Sequence, residues 1–160
     1  MTDVAMPLPA ILLSLLGLIP FIVCGLAALG PDAAAALHML TALVGYAAVT
    51  LAFAGGVHWG FALQAKEPDT SLERARFGLG VLPPLLGWIA LLLLMVAAWM
   101  ALLLLIAAYI GAALLEHGAA RRELMPPRYL WLRWAFTIVS VAMLTTVLTL
   151  RLLGQTLAVF

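Results

Sequence analysis

The sequence predicts an all-α protein: an integral membrane bundle of five transmembrane helices, with a cytoplasmic N-terminus and a periplasmic C-terminus. Three observations carry this reading. Of the 160 residues, 66% are apolar. Only eight Lys or Arg and seven Asp or Glu are present, 9% of the chain, against roughly 25% in an ordinary soluble domain. The apolar residues also run together in long uncharged stretches rather than alternating with charge. A water-soluble fold of this size needs a polar shell that so few charges do not supply. A disordered chain needs the opposite composition, with few apolar groups and many charges. The net charge of +1 gives no reason to expect nucleic acid or another strongly charged partner. The bilayer itself is the expected partner.

A helix needs about 20 mostly apolar residues to cross roughly 30 Å of hydrocarbon. Residues 8–29 form the first such run, closed by Gly30-Pro31-Asp32. Residues 40–63 form the second, closed by Gln64-Ala65-Lys66-Glu67-Pro68-Asp69. Residues 77–115 carry no charge at all. As one helix they would extend roughly 58 Å, too long for a single crossing. A hairpin is expected, turning near Ala97-Ala98-Trp99, with spans at 77–96 and 99–115. Residues 130–153 form the last span, led in by Pro126-Pro127. Residues 1–160 then make one transmembrane domain. Its longest loop is expected at Glu116 to Tyr129, and no internal repeat is visible.

Orientation follows from Lys and Arg placement. Lys66, Arg74 and Arg76 lie between spans two and three, and Arg121, Arg122, Arg128 and Arg133 lie between or just inside spans four and five. With five spans these segments share the N-terminal side, and only Arg151 lies on the other. A cleaved leader is not expected, because the chain starts Met1-Thr2-Asp3 without a positive region, and bulky Val23 before Cys24 spoils a lipoprotein site. A single cysteine gives no intrachain disulfide. Thr70-Ser71-Leu72-Glu73 offers a capping box for span three. Tyr129, Trp131 and Trp134 form an interfacial aromatic belt.

Gly55-Gly56-Val57-His58-Trp59-Gly60 is the most informative stretch. On a helical wheel Gly45, Ala48, Ala52, Gly55 and Trp59 share a face suited to close helix packing. His58 flanks that face, one and a half turns inside the span. An ionisable group at that depth is a functional candidate: a haem or metal ligand, a proton-relay member or a donor to a quinone. The plainer reading is a neutral His bonded to a neighbouring helix. No His pair is evident, since His38 lies toward the opposite surface and His117 beyond span four, and no metal site is expected. Pro20 and Pro83-Pro84 free backbone carbonyls inside spans, which must face protein or a wet cavity. Either helix bending or a ligand cavity beside the kinks follows.

Arg133, Thr137, Ser140 and Arg151 share one face of span five. The two arginines are expected to snorkel to opposite interfaces. The sharper alternative turns Arg133 inward to pair with Glu116, Glu123 or an anionic lipid or substrate. Thr145, Thr146 and Thr149 are expected to bond their own helix. No carboxylate pair is expected inside a span, with the acids near membrane ends or in loops. Phosphate-loop, Gly-x-Ser-x-Gly and His-Glu-x-x-His motifs are all missing from the sequence, so an enzyme is not favoured.

The segment from Tyr46 to Leu63, centred on Gly55-Gly56-Val57-His58-Trp59-Gly60, resembles a family of small polytopic membrane proteins of unknown function (DUF3429-like). That family includes the mitochondrial transmembrane protein 69. Gly17-Leu18-Ile19-Pro20-Phe21, Val81-Leu82-Pro83 with Trp88, and Pro127-Arg128-Tyr129-Leu130-Trp131-Leu132-Arg133 followed by Thr137 extend the resemblance over nearly the whole chain. Arg128 departs from it, where an aromatic is expected. The resemblance implies about five membrane helices, no established catalytic activity and a place in the bacterial inner membrane. It draws attention to His58, Trp59, Tyr129 and Arg133 as ligand or packing candidates.

Two functions are expected from these features. One is a non-enzymatic accessory, assembly or scaffold protein with a membrane-protein partner or a homo-oligomeric state. The other is a membrane-embedded binder or carrier of haem, quinone, lipid or a small solute, using the His58 region.

Overall fold

The computed structural model describes residues 8–63, 70–121 and 127–157, with side chains at 8–63, 76–121 and 129–154. They form five α-helices: α1 (Leu8–Ala27), α2 (Ala33–Leu63), α3 (Thr70–Leu94), α4 (Ala98–Ala120) and α5 (Pro127–Leu157). Each is long and apolar enough to span a membrane. The capping-box side chains of Thr70 to Glu73 lie outside the described residues. So do the side chains of Lys66, Arg74, Arg122, Glu123 and Arg128.

The uncharged stretch folds back on itself at Met95–Ala97. The Met95 and Val96 N–H groups donate to the carbonyls of Leu92 and Leu93, at 3.1 and 3.0 Å. Ala97 is extended and starts α4. The hairpin needs neither Gly nor Pro, because three residues already hydrogen-bond the end of α3.

Helix ends differ from the expected spans where backbone bonding outlasts hydropathy. α2 starts at Ala33 rather than 40. The Asp32 carboxylate accepts the Ala34 N–H at 3.1 Å, which caps the helix over the orphan amides of its first turn. α4 continues past 115 to Ala120. Glu116 and His117 are therefore helical, and the expected loop from Glu116 to Tyr129 shrinks accordingly. Hydropathy marks where charge begins, not where the ladder of backbone bonds stops.

α1, α2, α4 and α5 close a ring in which each helix touches the next, and α3 lies outside against α2 and α4. The apolar core fills the ring. Leu40, Leu43, Val44, Ala47 and Leu51 come from α2, Leu102, Leu105 and Tyr109 from α4, and Leu144 and Val147 from α5. Phe21 of α1 plugs it, edge-on to Tyr46, Tyr109 and Phe136 at centroid distances of 5.3, 6.1 and 5.7 Å. Leu63, Met95, Val96 and Trp131 point outward with most of their surface exposed. In water such a surface would drive aggregation, while in hydrocarbon it is the ordinary exterior.

The small-residue face of α2 is used inside the chain. A side chain at Gly55 would strike the Gly80 carbonyl and Pro84 of α3, and one at Gly87 would lie 2.9 Å from the Ala48 carbonyl. Pro84 supplies no N–H to Gly80, so that carbonyl is free to face the Gly55 backbone. The Trp59 indole lies against Gly80 and donates to the Phe77 carbonyl at 3.2 Å. Gly45, which the wheel put on this face, has open space instead. In α1 the helix runs through Pro20, and the Tyr46 hydroxyl donates to the Gly17 carbonyl at 2.8 Å. Thr146 and Thr149 bond carbonyls of their own helix.

At one end of the bundle Arg151 donates to the Ala28 carbonyl at 3.1 Å, so the C-terminal ends of α1 and α5 meet. The other end gathers Arg76, Arg121 and the aromatic pairs Trp59–Phe77, Phe61–Tyr129 and His117–Trp134.

Gly87→Ala should destabilise the bundle by about 1–3 kcal/mol, since the Ala48 backbone has nowhere to move. Gly45→Ala and Gly111→Ala should be neutral or stabilising by about 0.5–1 kcal/mol. Thermal melts of the three variants in one mild detergent check this contrast.

Candidate functional site

Each helix of the ring other than α1 carries an inward stripe at steps of three or four residues. On α2 it runs Val44, Ala47, Leu51, Ala54, His58. On α4 it runs Leu102, Leu105, Tyr109, Ala113, Glu116. On α5 it runs Arg133, Thr137, Ser140, Leu144, Val147. Such spacing keeps residues on one helical face. The three stripes end in ionisable residues at the same end of the bundle, and there they meet.

Glu116 is the hub. Its Oε2 accepts from Nε of Arg133 at 2.9 Å, and its Oε1 lies 3.4 Å from Nε2 of His58. One carboxylate thus ties α2, α4 and α5 together. His58, Glu116 and Arg133 are 6%, 1% and 6% exposed. Charges this deep persist only when paired. Glu116 corrects two expectations: an acid does sit inside a span, and Arg133 does not snorkel. The guanidinium turns inward because the carboxylate lies within reach, and solvation at the interface would leave Glu116 without it. Of the partners considered for Arg133, Glu116 is the one it meets among the described residues, and the side chain of Glu123 lies outside them.

A second polar centre lies deeper. The Tyr109 hydroxyl donates to the Ala47 carbonyl at 2.9 Å and lies 2.6 Å from Oγ1 of Thr50. Arg133 sits over the Tyr109 ring, 5.9 Å from its centroid, close enough for cation–π attraction.

Two grooves flank the cluster. One, of about 430 Å³, runs between α1, α2 and α5, with Ser14, Gly17, Tyr46, Phe53, Tyr129 and Arg133 among its walls. The other, of about 270 Å³, lies between α2, α3 and α4 and is bordered by His58, Pro83 and Leu115. Both lie beside proline-interrupted helices. Glu116 stands between the groove that Arg133 lines and the one that His58 lines. Nη2 of Arg133 and the hydroxyls of Thr137 and Ser140 are buried without hydrogen-bond partners.

His58, Tyr129 and Arg133 therefore surround one centre. Tyr129 packs on Phe61 and lines the larger groove with Arg133. Trp59 points away, 44% exposed against α3. Among the described residues no group of three or more His, Cys, Asp or Glu is arranged to hold a metal ion. Nε2 of His58 faces Glu116, so a haem iron would have to use Nδ1. Sequence reading named Glu116 as a possible partner of Arg133 but placed it in a loop, because hydropathy ended the span one residue earlier. The available signal was the α4 stripe, whose next step after Tyr109 and Ala113 falls on residue 116.

The model of a family described as a protein of unknown function, DUF3429, matches residues 6–149. Among curated proteins and solved structures, nothing matches this chain significantly. The match spans most of the chain, and the protein belongs to the DUF3429 family.

Glu116→Leu should cost about 3–5 kcal/mol, because it leaves the Arg133 guanidinium buried without its counter-charge. Glu116→Leu combined with Arg133→Leu should cost less than the sum of the two single changes. A double-mutant cycle by thermal melting in detergent measures that coupling.

Proposed function

We propose that this DUF3429 protein is a non-enzymatic, membrane-embedded binder or carrier of a small amphiphilic ligand. Its centre is the His58–Glu116–Arg133 cluster, and its ligand lies in the groove between α1, α2 and α5. One observation carries the reading. Arg133 lines that groove, and its Nη2 is buried without a partner while Nε of the same group is tied to Glu116. A buried donor left unpaired costs about 1–3 kcal/mol, more when charged. A ligand oxygen at Nη2 removes that cost, and the apolar walls accept a tail. Tyr129 stands beside Arg133 as a further donor at the groove mouth.

The accessory or assembly reading draws support from a different surface. Gly56 and Gly60 lie one turn apart on α2, where an added side chain would meet nothing within 4 Å among the described residues, and exposed Trp59 borders them. Small residues at that spacing allow helices of two chains to approach closely. The rest of the small-residue face, at Ala48 and Gly55, is already taken by α3.

The cell membrane of a bacterium is the expected location, with the N-terminus in the cytoplasm. The basic ends of α3, α4 and α5 support this orientation under the positive-inside bias. In a Cys24→Ser background, Lys66→Cys and Arg122→Cys should both react with a membrane-impermeant maleimide only after the inner leaflet is opened. Labelling of both from the outside of intact cells would reverse the orientation, and labelling of one alone would overturn the five-span topology.

Wild-type protein purified in mild detergent should carry a stoichiometric amphiphile, detected by native mass spectrometry and extraction. Arg133→Gln should lose it. Ligand-free monomer from both, with a defined homo-oligomer or partner complex in native membranes, would favour the accessory reading. An absorption spectrum of the same sample tests haem directly.

A further inference from the structure

We infer that the occupant of the α1/α2/α5 groove is an anionic amphiphile, its charged oxygen on Nη2 of Arg133 and its tail along the α1 wall. This rests on the ligand-binding reading above and names the ligand class.

The donors of the groove decide its polarity. The hydroxyls of Ser14, Tyr46 and Thr50 donate to the carbonyls of Ala10, Gly17 and Tyr46, so they are spent, which leaves Tyr129 and Arg133 as the side-chain donors among the described walls. Arg133 is the charged group among the described walls, and no carboxylate faces the groove there. Its guanidinium is held by Glu116 through Nε, which fixes the direction of Nη2. Charge-assisted hydrogen bonds from such a fixed donor favour an anionic acceptor over a neutral one.

Depth and shape complete the argument. Arg133 lies five residues after Arg128, the charge that closes the preceding loop, or about 8 Å along the helix. That is just inside the headgroup boundary, at the end of the bundle that also holds Arg76 and Arg121, and basic clusters there attract anionic lipid. From Ala10 to Gly17 the α1 wall runs about 10 Å along the groove, facing apolar Phe53, Val57 and Phe136. A polar head at the boundary with an apolar slot leading inward is the form of a fatty acid or a phospholipid.

The test uses the full chain in nonionic detergent and calorimetric titration with two matched probes. N-oleoyl taurine carries a sulfonate that stays ionised, and N-oleoyl ethanolamine is neutral. Wild type should bind the taurine at least about tenfold more tightly, the scale of one charge-assisted hydrogen bond. Arg133→Gln should remove that preference. Leu13→Trp, which fills the tail slot and leaves the cluster intact, should weaken the taurine with its melting temperature unchanged.

A second arm separates the sources. Native mass spectrometry from nanodiscs of phosphatidylglycerol and phosphatidylcholine should retain phosphatidylglycerol on wild type and not on Arg133→Gln if a phospholipid is the occupant. Taurine binding without retained phosphatidylglycerol assigns a free acid instead. Equal affinity for the two probes, with both weakened by Leu13→Trp, would overturn the anionic inference while leaving a neutral ligand in the groove. Binding of neither probe, with no amphiphile retained, would overturn the ligand-binding reading as well.

Discussion

A carboxylate inside hydrocarbon must be compensated, and Glu116 is compensated by two different helices at once. Its oxygens face His58 of α2 and Arg133 of α5, at 3.4 and 2.9 Å. Each partner must present its side chain at one depth and from one direction. The requirement fixes how far α2, α4 and α5 are rotated about their axes and how they are staggered along the membrane normal. Apolar packing alone is more tolerant, since in lipid there is little hydrophobic force between helices. The leucine and alanine stripes below the cluster then fill a ring whose register these polar contacts have set.

The remaining helices dock by other means. α3 has no charge in the cluster among its described side chains. It lies close to α2 because Gly55, Gly80 and Gly87 remove side chains where the backbones cross, and Pro84 turns a spare carbonyl toward that crossing. α1 is held at its middle by Tyr46 on Gly17 and by Phe21 in the aromatic cluster, and at its end by Arg151 on Ala28. Proline and glycine here shape helix contacts. The grooves open beside the same segments, because a helix that bends or narrows at one contact leaves space next to it.

Much of this was legible in the residues and some was not. Five spans follow from uncharged length, and the hairpin follows because 39 uncharged residues exceed one crossing. Arg133, Thr137 and Ser140 were visible as one face of α5, and all three are buried together. The direction of Arg133 was not visible, because its partner was read as a loop residue. Hydropathy weighs charge by composition, whereas a buried pair is a relation between residues on different helices. Asp32 shows the same limit at smaller scale: its cap extends α2 by two turns through alanines that hydropathy leaves unassigned. Trp59 and His58 are neighbours in sequence but 100° apart around a helix, so one packs on α3 and the other joins the cluster.

Chain order gives the Glu116 hub a consequence for biogenesis. The imidazole lies in α2 and the guanidinium arrives 17 residues after the carboxylate. A ribosome feeding helices to the insertion machinery in order delivers α4 while α5 is still unmade. At that stage the acid has the earlier-inserted histidine to lean on, and final seating waits for the last hairpin to close.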